Sequence, residues 1–420
     1  MSENVITGLD IGSSAVRLVV GQAVPHTADG GQASIHVIGA IEVPSEGINK
    51  GIITSLEDAV SSISQALEMG ERMTGIPLAS AWVGIAGSHV LVQEGKGVVG
   101  VGRTDGEIRD EDVDRALEAA KMIARPANYD ILHVIPKRFS VDQQRGIKDP
   151  VGMNGIRLEV ETVLIQALSS QMKNFTKGIY RTGLDIEDVV YAPLATAEAL
   201  LQPRQKDLGV CLLNIGASST SMIVFEEGDV LHTAVLPVGS DHITNDLAIG
   251  LRVAVEVAEA VKIHFGHALA DQLTKKELIH LEDFGVKGEE PVERRFVAEI
   301  IQARVEEICE RIDRELAKVE RSGMLPGGIV LTGAGSKLSG LADVVKQITR
   351  LPVSHGQLHH VTSVLDRVQD PGFSTAVGLV LWGASVRSES GGHFGDVLAK
   401  FKSVDKATSQ IRKWFRSLIP

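Results

Sequence analysis

Two stretches of small polar residues, about two hundred positions apart, have the composition of phosphate-binding loops. The first is LDIGSS at 9–14 and the second is LNIGASST at 213–220, and each lies between two apolar runs. Glycine lets the backbone approach a phosphate, successive N–H groups form an anion-binding nest, and hydroxyl groups add donors. Either stretch alone is typical of an ordinary turn. Because both follow one plan, they predict two loops that clamp a polyphosphate across a cleft.

An acidic residue and a third glycine loop extend this prediction. Asp10 ends the first apolar run, where its carboxylate would hold Mg²⁺ through water, since Mg²⁺ sheds water reluctantly. The segment IVLTGAGS at 329–336 indicates a strand that runs into a glycine loop, over which an adenine ring could lie flat. The spacing of Gly333, Gly335 and Gly340 does not fit a dinucleotide fingerprint, and the sequence has no P-loop motif.

Strands and helices must hold these loops in place, and the apolar spacing predicts both. Strands are expected at Val5–Leu9 and Val16–Val20 around the first loop, and at Gly209–Ile215 and Ser221–Phe225 around the second. Strands alternate with helices along the chain, which predicts an α/β fold with mixed sheets. Further predicted segments are strands at 82–85 and 89–92 around a glycine turn, a long helical region at 241–264 and a helix at 294–321.

Composition narrows the class of protein. The chain has 420 residues, enough for two or more domains, and its net charge of -12 argues against general nucleic-acid binding, which needs a basic surface. Cys211 and Cys309 lie in apolar stretches and fit buried thiols in a reducing compartment, although a lone disulfide stays open. The first residues do not resemble a signal peptide, and no run reaches about 18 apolar residues, so we expect a cytoplasmic protein.

The end of the sequence has an amphipathic pattern. It follows a linker rich in serine and glycine at 388–392, and 396–420 holds six Lys and Arg against two Asp. This polarity is typical of a helix that lies in a membrane surface, where polymerisation would combine many weak tails into firm attachment. The alternative is a helix that docks back on the core. The predicted membrane-binding residues are Ile411, Arg412, Lys413, Trp414, Phe415, Arg416, Leu418 and Ile419.

In this order, the two loops and the late glycine loop resemble the actin-like ATPase superfamily, and within it the FtsA family of bacterial cell division. The most specific stretch runs from HVIP at 133–136 through GIKDPVGM at 146–153 to GIRLE at 155–159. The resemblance implies an α/β actin-like ATPase fold of two duplicated halves with an FtsA-type inserted subdomain and a C-terminal amphipathic helix. The implied parts are subdomain 1A (1–81, 165–203 and 372–386), the insert 1C (82–164), 2A (204–249 and 324–371), 2B (250–323) and the linker with the membrane-targeting helix (387–420).

The resemblance also implies roles for single residues. Connecting segments between the halves are implied at 188–201 and 375–383. Glu259 and Lys262 match a helix pair that touches the ribose and base, although their spacing alone also fits an ordinary exposed pair. The residues implied to bind ATP are Asp10, Gly12, Ser13, Ser14, Gly216, Ser218, Ser219, Thr220, Gly239, Glu259, Lys262, Gly333, Ala334 and Gly335, with Asp10 also beside the Mg²⁺ ion.

The sequence departs from the family pattern at acidic positions. Asn214 and Ser221 stand where the second phosphate loop of the family usually has Asp, and Ala192 stands where related actin-like proteins often have Glu. Such carboxylates position the metal and the attacking water, and phosphoryl-transfer enzymes gain most of their rate from positioning and electrostatics. We therefore expect ATP binding with weak or no hydrolysis, unless other groups orient the water.

The function implied by the resemblance is a membrane tether for cell division. The chain would polymerise at the inner face of the cytoplasmic membrane, on anionic lipid at the division site, as a peripheral protein. The helical subdomain would bind the C-terminal tail of the tubulin-like protein FtsZ, with Arg295 and Arg304 as candidate contacts that could equally be surface salt-bridge partners. Other division proteins are further implied partners, and nucleic acid is not.

Two alternatives stay open. One is a pilus-assembly-type actin-like ATP-binding adaptor, against which the stretch at 146–159 and the amphipathic tail count. The other is a small-molecule kinase of the same superfold. Such a kinase needs a catalytic carboxylate in the cleft, and the substitutions at acidic positions remove candidates.

Overall fold

The computed structural model describes residues 5–24, 34–123, 126–274, 276–286 and 290–389. The predicted amphipathic tail, including the membrane-binding residues at 411–419, lies outside the described residues. Within the described ranges, no helix is long and apolar enough to cross a membrane.

The strands in chain order are β1 (Val5–Ile11), β2 (Ala15–Val24), β3 (Ser34–Pro44), β4 (Ile48–Asn49), β5 (Ile52–Ile53), β6 (Ser80–Ile85), β7 (Val90–Gly100), β8 (Tyr129–Val141), β9 (Gln144–Ile147), β10 (Arg157–Leu168), β11 (Asp185–Tyr191), β12 (Val210–Ile215), β13 (Thr220–Glu226), β14 (Asp229–Leu236), β15 (Leu278–Ile279), β16 (Val292–Glu293), β17 (Ile329–Thr332), β18 (Val353–His355) and β19 (Val361–Ser363). The α-helices are α1 (Leu56–Thr74), α2 (Asp110–Ile123), α3 (Ser169–Tyr180), α4 (Ala192–Leu200), α5 (Pro203–Leu208), α6 (Ser240–Leu251), α7 (Val255–Phe265), α8 (Arg294–Lys318), α9 (Leu341–Thr349) and α10 (Ser374–Glu389).

Two sheets repeat one plan. In the six-stranded sheet, ordered β11-β6-β1-β2-β3-β19, β1 pairs antiparallel with β2 and parallel with β6. In the five-stranded sheet, ordered β14-β13-β12-β17-β18, β12 pairs antiparallel with β13 and parallel with β17. The predicted duplication of the fold is therefore confirmed. The loops at 9–14 and 213–220, called the phosphate-type loops below, each close a hairpin at the same place in their sheet.

Local sequence explains the helices that cover these sheets. On α1, the buried residues Ala59, Ile63 and Leu67 recur every four positions and form one apolar face, which lies against β2 and β3. The helix ends at Gly75, whose φ of 68° is left-handed and whose N–H donates to the carbonyl of Glu71 at 2.8 Å. Glycine takes this conformation without a steric cost, so the chain turns away at this point.

A third sheet stands apart from the duplicated plan. It is antiparallel, ordered β7-β10-β8-β9, and α2 packs on it. The segments at 82–85 and 89–92 are strands as predicted, but β6 belongs to the six-stranded sheet and β7 to this one. The glycine turn between them is therefore the entrance to the inserted sheet.

The helical layer on the five-stranded sheet differs from its prediction. The long helical region expected at 241–264 is interrupted, because α6 ends at Leu251, Arg252 has a φ of 55°, and α7 begins at Val255. Apolar periodicity does not reveal that Arg252 adopts the left-handed conformation. This conformation is uncommon for residues other than glycine, asparagine and aspartate. Cys211 and Cys309 are both free and buried, so the thiol interpretation is confirmed.

The helices α4 and α10 pack in direct contact beside the six-stranded sheet. A Cβ atom placed on Gly378 would lie only 2.0 Å from the carbonyl oxygen of Ala195, so the two backbones approach as closely as glycine allows. The segments implied to connect the halves, 188–201 and 375–383, overlap these two helices. The two connecting segments therefore touch each other through their backbone atoms.

Candidate phosphate-binding cleft

The two hairpin turns face each other across a cleft. In the turn between β1 and β2, the N–H of Gly12 donates to the carbonyl of Ala15 at 3.1 Å, and in the turn between β12 and β13 the N–H of Gly216 donates to Ser219 at 2.9 Å. The Ser218 hydroxyl donates to Ser13 Oγ at 2.8 Å. Folding therefore brings together two loops that lie far apart in sequence.

Glycine is required where the loops are tightest. A Cβ atom on Gly12 or Gly216 would lie 2.8 or 2.9 Å from a carbonyl oxygen of the same turn. Gly239 precedes α6 and packs on the second loop, since its Cβ would lie 2.5 Å from the carbonyl of Ala217. The N–H of Asp241 donates to that same carbonyl at 2.8 Å. The start of α6 thus supports the second loop from behind.

The third glycine loop joins the same cleft. Gly333 follows β17 with a left-handed φ of 85°, and a Cβ atom there would lie 2.3 Å from Asn214 Oδ1. Gly335 packs on Ile215 at the end of β12, because its Cβ would lie 2.7 Å from Ile215 Cγ2. The predicted strand and loop are both present, and they lie beside the second phosphate-type loop.

A cavity of about 100 Å³ lies between the three loops. This is several times the space that one ordered water needs. Among the described residues that line the cavity, Asp10 is the single carboxylate. The predicted site residues that line it are Asp10, Gly12, Ser13, Ser14, Gly216, Ser218, Ser219, Gly333 and Ala334.

The remaining predicted residues lie behind this lining. Gly239 and Gly335 support it as described above. Thr220 is buried in β13, where its hydroxyl donates to the carbonyl of Val238 at 2.8 Å. Thr220 therefore stabilises the hairpin from inside and does not face the cavity.

Glu259 and Lys262 form an ion pair at 2.6 Å on α7. Lys262 is only 9% exposed, and its ammonium donates to Thr244 Oγ1 at 2.7 Å and to the carbonyl of Ser240 at 3.3 Å. The pair thus ties α7 to the first turn of α6, next to Gly239. It is a partly buried link, whereas spacing alone fits an ordinary exposed pair, and its contact with a nucleotide stays a prediction.

Burial changes the acid–base properties of the cleft. Loss of hydration raises the pKa of Asp10 to about 6, and the positive charge of Arg17 opposes this effect. Arg17 is itself paired with Glu42 at 2.6 Å. Across the cleft, the amide of Asn214 donates to Thr375 Oγ1 at 3.3 Å. Asp10 therefore has no second carboxylate in the lining with which to share a metal ion.

Sequence reasoning missed several residues of the cavity. Arg17, Gly51, Ala86, Gly372 and Thr375 line it, and they come from five separate elements or turns. Gly51 had a weak local signal, because a glycine at the second position of a two-residue turn accepts the left-handed backbone that tight hairpins need. The others carry no signal in one sequence.

The helices α6, α7 and α8 present a second surface of interest. The Arg304 guanidinium makes two bonds to Asp246, at 2.6 and 2.9 Å, and Arg295 pairs with Asp271 at 3.1 Å and Glu299 at 3.3 Å. The candidate partner-binding arginines are therefore both engaged within the chain, as the salt-bridge alternative describes.

Apolar side chains lie exposed on the same helices. Phe296 is 44% exposed on α8 and Ile249 is 77% exposed near the end of α6. Phe296, Ile300 and Arg304 recur every four residues on α8, and Ile300 Cδ1 lies 2.6 Å from where a Cβ on Gly250 would be. One stripe of α8 thus runs along α6 from an apolar end to a charged end.

Duplicated sheets with facing hairpin loops and a glycine loop at the cleft define an actin-like protein. The fold is similar to the solved PilM-PilN type IV pilus biogenesis complex, with a TM-score of 0.65 and 17% identity, covering 90% of this chain and 98% of that one. It is also similar to MreB5 of Spiroplasma citri bound to ADP, with a TM-score of 0.54 and 12% identity, covering 93% and 100%.

Sequence comparison identifies the family. The model for "Cell division protein FtsA" matches 211–378, and the model for the SHS2 domain inserted in FtsA matches 87–166. The chain is 35% identical to FtsA of Pseudomonas aeruginosa over 388 residues, covering 92% of this chain and 91% of that one. It is 38% identical to FtsA of Bacillus subtilis over 372 residues, covering 89% and 82%, and 31% identical to that of Escherichia coli over 385 residues, covering 90% of each. The chain therefore belongs to the FtsA family of cell-division proteins.

Proposed function

We propose that this chain binds ATP with Mg²⁺ in the cleft and hydrolyses it weakly or not at all. The observation that carries the proposal is the meeting of all three glycine loops at one cavity, with Asp10 as the single carboxylate among the described residues of the lining. Bound Mg²⁺·ATP would supply a chain of phosphates to which the loops can donate hydrogen bonds. The chemistry of the loops fits such a ligand, because glycine lets a phosphate approach the backbone of each turn and the serines add hydroxyl donors.

The weak hydrolysis follows from the same lining. Ala192, Asn214 and Ser221 all line the cavity, and none of them carries a carboxylate. Asp10 alone can act on the metal, and nothing acidic in the described lining is left to orient water. Because positioning supplies most of the rate of phosphoryl transfer, slow turnover is the expected result.

The second part of the proposal is that the protein polymerises on the inner face of the cytoplasmic membrane and tethers FtsZ there. Membership of the FtsA family supports a role at the division site. The amphipathic pattern of the tail supports attachment to anionic lipid. The exposed residues Phe296 and Ile249 beside Arg304 suit a partner tail that carries apolar and acidic groups. Since Asp246 already pairs with Arg304, an acidic partner would have to share or replace that carboxylate.

The tether is tested by co-sedimentation with anionic vesicles, with and without ATP. The intact chain is compared with a chain that ends at Gly395, and with the intact variant Trp414→Glu. We expect the intact chain to pellet, the shortened chain to stay in solution, and the variant to pellet less. Pelleting that depends on ATP would link attachment to polymerisation. If intact and shortened chains both stay in solution, the membrane part of the proposal is wrong.

Nucleotide binding is tested separately by titration of the pure protein with ATP, with and without Mg²⁺, followed by phosphate release over hours. Saturable binding with little release is the expected pattern. Steady turnover would contradict the weak-hydrolysis part, and absence of binding would contradict the nucleotide part.

A further inference from the structure

A short hairpin that is not one of the three glycine loops lies at the cleft and is hydrogen-bonded to two of them. The strands β4 and β5 are joined by Lys50-Gly51, and both residues are left-handed, with φ of 50° and 74°. Glycine accepts this conformation readily, but lysine adopts it at a steric cost. We call these two residues the hairpin tip.

The hairpin tip binds both phosphate-type loops at once. The N–H of Lys50 donates to Ser218 Oγ at 3.1 Å, and the N–H of Gly51 donates to Ser13 Oγ at 3.3 Å. The two hydroxyls are joined at 2.8 Å. The tip, the first loop and the second loop therefore form one hydrogen-bonded network at the mouth of the cleft.

One hydrogen of this network has no acceptor within it. The two backbone N–H groups donate to the two hydroxyl oxygens and the Ser218 hydroxyl donates to Ser13 Oγ, so the hydroxyl hydrogen of Ser13 is left over. An anion with several oxygens supplies an acceptor for this hydrogen and can also accept from the two N–H groups. Phosphate oxygens are such acceptors, and they bind more strongly because they are charged.

The tip is held in place from the other side. The carbonyl of Lys50 accepts from the N–H of Ser88 at 3.2 Å, and a Cβ atom on Gly51 would lie 2.0 Å from the carbonyl oxygen of Ala86. At the base, the carbonyl of Gly47 accepts from Thr54 at 2.8 Å. The tip is therefore fixed to the first half of the protein, and its bond to Ser218 crosses to the second half.

A bound polyphosphate would need a positive charge that is not already paired within the protein. Among the described residues that line the cavity, Arg17 is the single cation, and Glu42 already neutralises it. The Lys50 ammonium has no carboxylate within ion-pair distance among the described residues. The backbone of Lys50 lies at the mouth of the cleft, where its N–H donates to Ser218 Oγ, and its flexible four-carbon side chain starts from there.

We propose that the hairpin tip is a third phosphate-binding element, in which the Lys50 ammonium and the N–H groups of Lys50 and Gly51 bind the outer phosphates of the nucleotide. The incoming phosphate oxygens replace Ser13 Oγ and Ser218 Oγ as acceptors, and this frees both hydroxyls to donate to phosphate. The inference rests on the proposed binding of ATP to the cleft. It adds a residue outside the three loops.

The test compares affinities for ATP and adenosine in the full chain and three variants. Lys50→Met removes the charge at similar length, and Lys50→Arg keeps it. Lys177→Met, on the exposed face of α3, is the matched control. Affinity is measured by displacement of a fluorescent ATP analogue with Mg²⁺ present, and thermal unfolding confirms that each variant is folded.

We expect Lys50→Met to bind ATP about ten-fold more weakly, which is about 1.4 kcal/mol. Adenosine affinity should be unchanged, Lys50→Arg should recover most of the ATP affinity, and Lys177→Met should match the unmodified chain. If the unmodified chain binds ATP and Lys50→Met binds it equally well, the hairpin tip is not a phosphate element, although the proposed function stands. If the unmodified chain binds no ATP, both proposals are wrong.

Discussion

The imidazole of His133 should make the stability of this protein depend on pH. His133 is fully buried on β8, and its Nε2 accepts the N–H of Tyr191 at 2.9 Å, directly before Ala192 of the cleft. Its ring also packs edge-on against Trp382, with centroids 5.9 Å apart. Burial lowers the pKa of His133 to about 4 from an ordinary value of 6.5. Protonation would therefore break a backbone hydrogen bond and leave a charge in the core.

The direction and size of this pH dependence follow from the difference in proton binding between the folded and the unfolded chain. Between pH 6.5 and 4 the unfolded chain binds a proton that the folded chain does not, so stability is complete above about pH 6.5 and falls as the pH drops toward 4. Lowering the pH from 7.5 to 5 should cost about 2 kcal/mol for this one residue, since each pKa unit is worth about 1.4 kcal/mol. His89, whose pKa burial also lowers to about 4, adds a loss in the same direction.

The variant His133→Gln isolates the contribution of His133. Glutamine keeps an acceptor for the N–H of Tyr191 but does not titrate. We expect urea unfolding to show a lower stability at pH 7.5, because contact with Trp382 is reduced, and a loss between pH 7.5 and 5 that is smaller by about 2 kcal/mol. His264→Gln, at an exposed position on α7, is the control. If His133→Gln loses as much stability as the unmodified chain over this range, the argument from burial is refuted.

Three further predictions concern the helices and the cleft. Gly378→Val should lower the free energy of unfolding by about 1–3 kcal/mol or prevent folding, because the new side chain meets the α4 backbone. Thermal unfolding measures this effect, and an unchanged midpoint would mean that α4 and α10 can move apart without cost. Asn214→Asp adds a carboxylate to the cleft and should raise phosphate release from Mg²⁺·ATP, and an unchanged rate would mean that the missing acid does not limit turnover. Phe296→Glu should weaken binding of an FtsZ tail peptide at least ten-fold in fluorescence anisotropy, whereas Met324→Glu, also exposed, should not, and equal effects would contradict a specific site.

Much of the site could be predicted because its signals are local. The turns at Gly12 and Gly216 each depend on contacts within four residues, so each has a local signal, and the plan that the two stretches share predicts them as a pair. The strand and loop at 329–336 were visible for the same reason. The break at Arg252 was not, because arginine gives no local sign of a left-handed backbone.

The cleft also contains residues that no local signal places there. Gly51 and Ala86 line the same cavity as Gly333, although long stretches of chain separate them. Lys262 has the spacing of a surface residue, yet folding buries it against Thr244. Whether such a lysine is exposed depends on which helix packs over it, and that is decided by contacts between distant segments.

The sequence by itself determined the two phosphate-type loops, the alternation of strands and helices, the amphipathic tail and the family. Each of these depends on residues close together in the chain or on a pattern that repeats along it. Only the tertiary structure decided that Ser13 meets Ser218, that Lys50 and Gly51 bridge them, and that His133 supports the strand before the cleft. The physical reason is that a single sequence shows the spacing of residues along the chain, whereas contacts across sheets depend on how all the elements pack at once.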